Sequence, residues 1–189
     1  QPEAWLTLAG DASICPGNNT SIQVNFNLGT PPFIIVYSID GTTLVTIKDI
    51  YVNPYVITTS TPGTYALEHV YDFDGTPGTT TGSPVNITGL PLPSDAGSIT
   101  GSSSVCQGSN GYSYSVPQIN NATSYVWSLP AGATIASGSN TNNITVNFSS
   151  SAVSGDIIVY GQNTCGDGNS SQISVTANPM PAAAGLISG

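Results

Sequence analysis

The chain has 189 residues, of which 39% are hydrophobic and only 6% are charged. Ten Asp and Glu residues against one basic residue, Lys48, give a formal net charge of −9. Nucleic acid is excluded as a partner, because binding a phosphate backbone needs several cations in one patch. No apolar run approaches the roughly twenty residues that cross a bilayer, so direct membrane insertion is not expected.

Short strands and turns follow one another along the whole chain. Ser21–Leu28 alternates polar and apolar residues, as a half-buried strand does, and Phe33–Tyr37 is apolar on both faces, which is typical of a central strand. Asp40-Gly41 then signals a hairpin turn. Asn143–Phe148 alternates in the same way, and closely spaced Gly and Pro turns leave little room for helices. The pattern predicts an all-β protein.

Two sequence patterns occur twice. Pro91–Gly101 returns as Pro179–Gly189, 88 residues later, and Gly10–Gly17 shares the pattern G-x-x-x-[IV]-C-x-G with Gly101–Gly108, 91 residues later. The nearly equal offsets indicate tandem homologous modules of the size of an Ig-like sandwich. We therefore predict one domain over 1–92, a second over 93–181, and the start of a further repeat or a linker over 182–189.

Two aromatic residues stand where Ig-like sandwiches keep core markers. Tyr65 follows Gly63-Thr64 at the start of a late strand, which is the place of a tyrosine corner, and Trp127 lies in the middle of the second module, where a core Trp packs. Both positions favour antiparallel β-sandwiches over other all-β folds.

Four segments of the second module resemble, in order and spacing, the PKD-like modules of very large secreted Bacteroidota proteins. They are Val105–Gly108, Ala122–Ile135, Ile144–Phe148 and Asn163–Gly166. The first module is similar to a companion Ig-like repeat of the same proteins, in Ile14–Gly17, Gly29–Phe33, Asn53–Ile57 and Gly63–Tyr65.

The resemblance has implications for architecture and location. It implies two tandem Ig-like/PKD-like antiparallel β-sandwich domains from a giant cell-surface adhesin. Such adhesins are exported by the type IX system, and some serve gliding motility. An extracellular, cell-surface location is expected.

The residues offer no catalytic constellation. His69 is the single histidine and has no second His or Cys at metal-ligand spacing, so a solvent-facing strand residue is the expectation. No Gly-rich phosphate loop is present. We predict that the chain is not an enzyme.

The three cysteines give one predicted disulfide. Cys106 and Cys165 bracket Trp127 at a separation typical of an Ig-like bridge, which would stabilise the fold by about 4 kcal/mol in the loop-entropy treatment. The alternative is two buried free thiols. Cys15 lacks the matching partner, because Phe73 occupies the position of Cys165 in the first module; it is either a buried, unreactive thiol or pairs with another chain.

Asp72 and Asp74 are the candidate calcium ligands. Closely spaced carboxylates beside Gly75 supply hard oxygen ligands, although no bidentate Glu completes an EF-hand pattern. The alternative is a solvated turn, and no other cofactor is expected.

The predicted function is that of a semi-rigid stalk in adhesion. The connection Pro91-Leu92-Pro93 would limit bending between the modules. Its expected partners are neighbouring repeats, surface polysaccharide or other surface proteins. The alternatives are an accessory spacer of a secreted polysaccharide-degrading enzyme and carbohydrate binding through exposed aromatic residues, namely Trp5, Tyr51, Tyr55 and Tyr112.

Overall fold

A computed structural model describes residues 1–180 of the chain. They form two compact units that divide between Pro91 and Leu92, within one residue of the boundary expected from the repeats. The predicted segment 182–189 lies outside the described residues. Over residues 1–180 all regular structure is β, and no helix there is long and apolar enough to cross a membrane.

Unit 1 contains nine strands in two sheets. They are β1 (Glu3–Leu8), β2 (Ser13–Ile14), β3 (Thr20–Asn27), β4 (Phe33–Ile39), β5 (Thr43–Ile50), β6 (Tyr55–Thr59), β7 (Gly63–Tyr71), β8 (Thr79–Thr81) and β9 (Val85–Gly89). One sheet has the order β6-β3-β1-β8 and the other β2-β9-β7-β4-β5.

Unit 2 repeats this architecture with eight strands. They are β10 (Ser104–Cys106), β11 (Tyr112–Ser115), β12 (Ser124–Ser128), β13 (Ala133–Ser137), β14 (Asn143–Phe148), β15 (Gly155–Asn163), β16 (Gly166–Asp167) and β17 (Ser171–Asn178). One sheet has the order β10-β17-β15-β12, with β16 also paired to β15, and the other has the order β11-β14-β13.

Alternation along the strands builds a separate core in each unit. In β3 every second residue from Thr20 to Phe26 is buried, and in β14 Ile144, Val146 and Phe148 are buried while their neighbours are not. Each core fills with the apolar face of its two sheets, since successive side chains of a strand point to opposite sides. The predicted all-β, Ig-like/PKD-like class is confirmed.

The repeated G-x-x-x-[IV]-C-x-G pattern has the same structural meaning in both units. Its apolar residue, Ile14 or Val105, is buried on the short first strand of a parallel pair. Its first glycine lies too close to other atoms for a side chain: a Cβ on Gly101 would overlap the ring of Tyr114, and one on Gly10 would stand 2.6 Å from the Thr20 hydroxyl. The sequence repeat is therefore a packing requirement.

The aromatic markers behave differently in the two units. Tyr65 is buried, and its hydroxyl donates to the Thr61 carbonyl four residues upstream at 2.8 Å, as a tyrosine corner does. Trp127 is only half-buried, and its indole Nε1 donates to the carbonyl of Thr141. Tyr114 and Phe148 are fully buried in unit 2, and the Tyr114 hydroxyl donates to Ser102 O.

The single basic residue protects a sheet edge. β5 is the outer strand of its sheet, and its pairing with β4 shifts register between Phe33 and Ile35, opposite the exposed residues Lys48 and Asp49. Asp49 has a left-handed φ of 57°. A charge and a bulge on an edge strand discourage pairing with another sheet.

Candidate functional site

In each unit a short strand early in the fold pairs in parallel with the last strand; the early strand is the second strand of unit 1, β2, and the first strand of unit 2, β10. β2 runs parallel to β9 with Ser13 opposite Thr88, and β10 runs parallel to β17 with Ser104 opposite Thr176. The chain therefore enters each unit at one end of the sandwich and leaves at the other. Tension applied to the two ends of a unit pulls these paired strands past each other along their length.

Backbone hydrogen bonds close both parallel pairs. In unit 1 Thr88 N donates to Ala12 O and Leu90 N donates to Ile14 O, both at 2.8 Å. In unit 2 Thr176 N donates to Ser103 O and Gln107 N donates to Asn178 O, both at 2.9 Å. Because parallel strands loaded in opposite directions place all their hydrogen bonds under load together, the pairs resist extension as a group rather than one bond at a time.

The residues that could carry chemistry are scattered. His69 is exposed on β7, with its ring 6.2 Å from that of Tyr71. No group of three or more His, Cys, Asp or Glu side chains in residues 1–180 is arranged to hold a metal ion.

The two candidate calcium ligands are not brought together with further ligands. Asp72 is largely buried, and its Oδ1 accepts a hydrogen bond from Thr76 N at 3.0 Å while its carbonyl accepts one from Gly75 N. Asp74 is exposed in the same turn. Asp72 thus closes the β7–β8 turn with its own side chain.

The predicted disulfide between Cys106 and Cys165 is wrong. Cys106 is an exposed, free thiol at the end of β10, opposite Asn178 at the end of β17. Cys165 follows Asn163 at the far end of β15, and the nine residues of that strand span about 30 Å at 3.3 Å per residue. A bridge requires Cα atoms within about 7 Å, so strand direction forbids it.

The other two cysteines are both half-buried. Neither Cys15 nor Cys165 is a free thiol, so the interpretation of Cys15 as a buried, unreactive thiol is wrong as well. Cys15 lines an apolar crevice of about 300 Å³ at the end of unit 1 where the chain leaves, together with Ile14, Pro62 and Pro91.

The four candidate carbohydrate-binding aromatic residues do not form a row. Tyr55 and Tyr112 pack against the cores of their units, and Tyr112 meets Phe148 edge-on at 5.5 Å. Trp5 is half-buried opposite Asn25, on the outer face of its sheet. Tyr51 alone among the four is exposed, in the β5–β6 loop. A sugar ring cannot stack across side chains that face different directions.

A crevice of about 250 Å³ opens beside β7 in unit 1. It is lined by Leu6, Leu67, Glu68 and the β8–β9 loop. Glu68 is the extra residue where the β4–β7 register shifts, and its Oε1 accepts a hydrogen bond from the buried Ser38 hydroxyl at 2.6 Å. This contact holds the carboxylate against its own sheet.

Four exposed apolar side chains gather at the end of unit 1 where β1 begins. Leu28, Tyr51, Val52 and Phe73 are between 60% and 69% exposed and lie in the β3–β4, β5–β6 and β7–β8 loops. We call them the proximal patch. Of these four residues, the sequence singled out Tyr51 alone, as a candidate for carbohydrate binding. Leu28 and Phe73 could have been found as apolar residues next to turn-forming residues, in Leu28-Gly29 and Phe73-Asp74-Gly75.

These features define the class of β-sandwich domains of the Ig-like and PKD-like type. Residues 92–175, most of unit 2, match the PKD-like domain family. The sequence matches none of the curated proteins with which it was compared.

Three solved structures illustrate the similarity. A chain of a 1.5-MDa bacterial ice-binding adhesin is 13% identical with a TM-score of 0.49, and the I67–I69 fragment of titin is 14% identical with a TM-score of 0.46. Each of the two matches covers 94% of this chain. This chain spans 65% of the length of the adhesin chain and 66% of the length of the titin fragment. SGBP-B of the Bacteroides ovatus mixed-linkage glucan utilization locus is 18% identical with a TM-score of 0.29, over 90% of this chain and 43% of its own.

Proposed function

We propose that this chain is a non-catalytic structural segment of a very large secreted cell-surface adhesin. Its two β-sandwich units act in series as a stalk that transmits tension. The observation that carries the proposal is the parallel pairing of a short early strand with the last strand in both units, β2 with β9 and β10 with β17.

Three further observations support this role. Nothing in residues 1–180 assembles a metal site, and the single histidine is exposed on β7. The polar surface consists mainly of uncharged side chains, which keep a long array soluble with few ion pairs to form or break. The match of unit 2 to PKD-like domains and the resemblance to Bacteroidota adhesin repeats favour a cell-surface location, type IX export and a part in adhesion or gliding.

The role as a stalk is tested by pulling the 189-residue chain from its two ends in a single-molecule force measurement. We expect two separate unfolding events, one for each unit. Each event should release roughly 300 Å of chain, because about ninety residues extend by up to 3.6 Å each. Smooth extension without discrete force peaks would contradict the proposal, since a segment that yields without resistance cannot hold an adhesive tip under load.

A further inference from the structure

The outer face of the β6-β3-β1-β8 sheet in unit 1 carries an indole ring, that of Trp5 on β1. The neighbours of Trp5 on this strand, Ala4 and Leu6, are buried, so alternation directs Trp5 away from the core. Trp5 is half-buried, yet it does not pack against the core of unit 1 as the partly buried Tyr55 and Leu67 do. The core therefore does not account for this large aromatic side chain.

The strand register surrounds Trp5 with polar side chains. Asn25 of β3 lies directly opposite Trp5, and Thr81 of β8 flanks it on the other side. The positions two residues away on β1 and β3 share this face and are all polar: Glu3, Thr7, Gln23 and Asn27. We call Trp5 and these six polar residues the Trp5 face. Among them only Glu3 carries a charge.

Hydrogen bonds between side chains hold the Trp5 face in place. Asn25 Nδ2 donates to Thr7 Oγ1 at 3.0 Å, and Asn27 Nδ2 donates to Glu3 Oε2 at 3.3 Å. Thr81 Oγ1 donates to the other carboxylate oxygen, Glu3 Oε1, at 3.4 Å. Because a side-chain amide has two N–H donors and an acceptor oxygen, each Asn retains groups for a ligand. Side chains that are already ordered lose little entropy when a ligand binds.

The sheet β11-β14-β13 of unit 2 shows which part of this face is unusual. Its inward positions are apolar, as at Tyr114 and Ile144, and its outward pairs are small or polar, with Ser113 opposite Thr145 and Thr134 opposite Asn147. A polar outer face is thus common to both units, and it needs no ligand to explain it. The indole ring within such a face belongs to unit 1.

The chemistry of the Trp5 face indicates a neutral sugar polymer. A pyranose ring with equatorial hydroxyls has two faces formed by C–H groups, and an indole can stack on either of them. Amides, hydroxyls and a carboxylate around the indole match the hydroxyls at the rim of the sugar ring. One carboxylate and no cation on the face, in a chain of net charge −9, disfavour an anionic polymer. Four strands about 4.8 Å apart give the ligand a surface about 14 Å wide.

We propose that the Trp5 face binds a neutral polysaccharide of equatorially substituted pyranose rings, such as a β-1,4-glucan. One sugar ring stacks on the indole of Trp5, and its hydroxyls form hydrogen bonds with Asn25 and Glu3. A single indole is sufficient for this mode of binding, so no row of aromatic residues is required. This inference rests on the proposed adhesin function and names what the segment adheres to.

The site is tested by adding cellohexaose to the 15N-labelled 189-residue chain. The two tryptophans, Trp5 and Trp127, give separate indole N–H signals. The Trp5 signal should shift as cellohexaose is added, and the Trp127 signal should not. The substitution Trp5→Ala should weaken binding about tenfold or more, since an aromatic anchor carries much of a contact's binding energy. Asn25→Ala keeps the ring and should weaken binding by about threefold to tenfold, the effect of one hydrogen bond.

Tyr51→Ala is the matched control, because Tyr51 is an aromatic residue of the same unit that is 69% exposed but lies in the β5–β6 loop. It should leave binding unchanged, and anionic polygalacturonate should not shift the Trp5 signal. An unshifted Trp5 signal, equal losses from Tyr51→Ala and Trp5→Ala, or equally tight binding of polygalacturonate would overturn the proposal.

Self-association is the other use of such a face. If the Trp5 signal moved with the concentration of the chain alone and not with cellohexaose, the face would be a contact between copies and the sugar site would be wrong. The pulling experiment on single chains uses no sugar, so the stalk function can fail or stand separately.

Discussion

Units 1 and 2 have the same sandwich but different surfaces at the end where the chain enters. In unit 1 that end presents Leu28, Tyr51, Val52 and Phe73 to solvent, whereas in unit 2 the loops are polar and the apolar contact comes from Leu92. Conversely, the parallel terminal strands, the repeated glycine and a buried tyrosine hydroxyl bonded to backbone recur in both. The repeat thus preserves what holds a module together and varies what a module touches.

The largest difference we expect between the cores comes from their repeated glycines. Gly101→Ala would drive a methyl group into the ring of Tyr114, which is fully buried and fixed by its bond to Ser102. We expect a loss of about 3 kcal/mol from unit 2, the upper range for overpacking. Gly10→Ala meets the smaller Thr20 hydroxyl and should cost less. Denaturant unfolding followed separately in each unit measures both; equal or negligible losses would contradict this packing.

The tyrosine hydroxyls allow a second comparison. Tyr65→Phe removes the bond to Thr61 O and the bond with the Thr59 hydroxyl, and Tyr114→Phe removes the bond to Ser102 O, while the rings keep their packing. Each change should destabilise its own unit by about 1 kcal/mol for each hydrogen bond lost, and leave the other unit unaffected. Thermal unfolding of the two variants checks this, and a shift in the wrong unit would be inconsistent with separate cores.

Alkaline pH should destabilise unit 2 through Tyr114. Burial, with a smaller contribution from Tyr112, raises the pKa of Tyr114 from its usual 10.0 to about 12. The unfolded chain therefore loses this proton first as the pH rises, and unit 2 should lose stability between pH 10 and pH 12. Tyr114→Phe should reduce the loss of stability of unit 2 over this pH range. If the variant loses as much stability as the unsubstituted chain, groups other than Tyr114 cause the loss.

The smallest effect is expected at the free thiol. Cys106 is exposed and unpaired at the end of β10, so Cys106→Ser should change stability by less than about 0.5 kcal/mol. A thiol reagent added to the native chain should modify one cysteine, and the Cys106→Ser variant should take up none. Uptake by that variant would mean that another thiol is free.

Sequence patterns predicted the fold well because its constraints are local. The alternation of polar and apolar residues predicted strands β3 and β14. The spacing of two short repeated patterns predicted the module boundary within one residue of Leu92. Tyr65 was identifiable because a tyrosine corner needs a tyrosine at the start of a late strand.

The remaining features depend on contacts that local pattern does not encode. The prediction of a Cys106–Cys165 disulfide was wrong because the separation of two residues along the chain does not reveal at which end of a sheet each lies. Tyr114 was missed in favour of Trp127, since burial depends on which face packs inward. The proximal patch forms only when three distant loops meet.

The most direct test of the mechanical role uses Thr88→Pro and Thr176→Pro in the end-to-end pulling measurement. Each substitution removes one donor from a parallel terminal pair, the bond to Ala12 O in unit 1 or to Ser103 O in unit 2, so each unit serves as the control for the other. We expect each variant to lower the unfolding force of its own unit and leave the other peak in place. Unchanged forces in both variants, with the units still folded, would show that the parallel terminal strands do not bear the load.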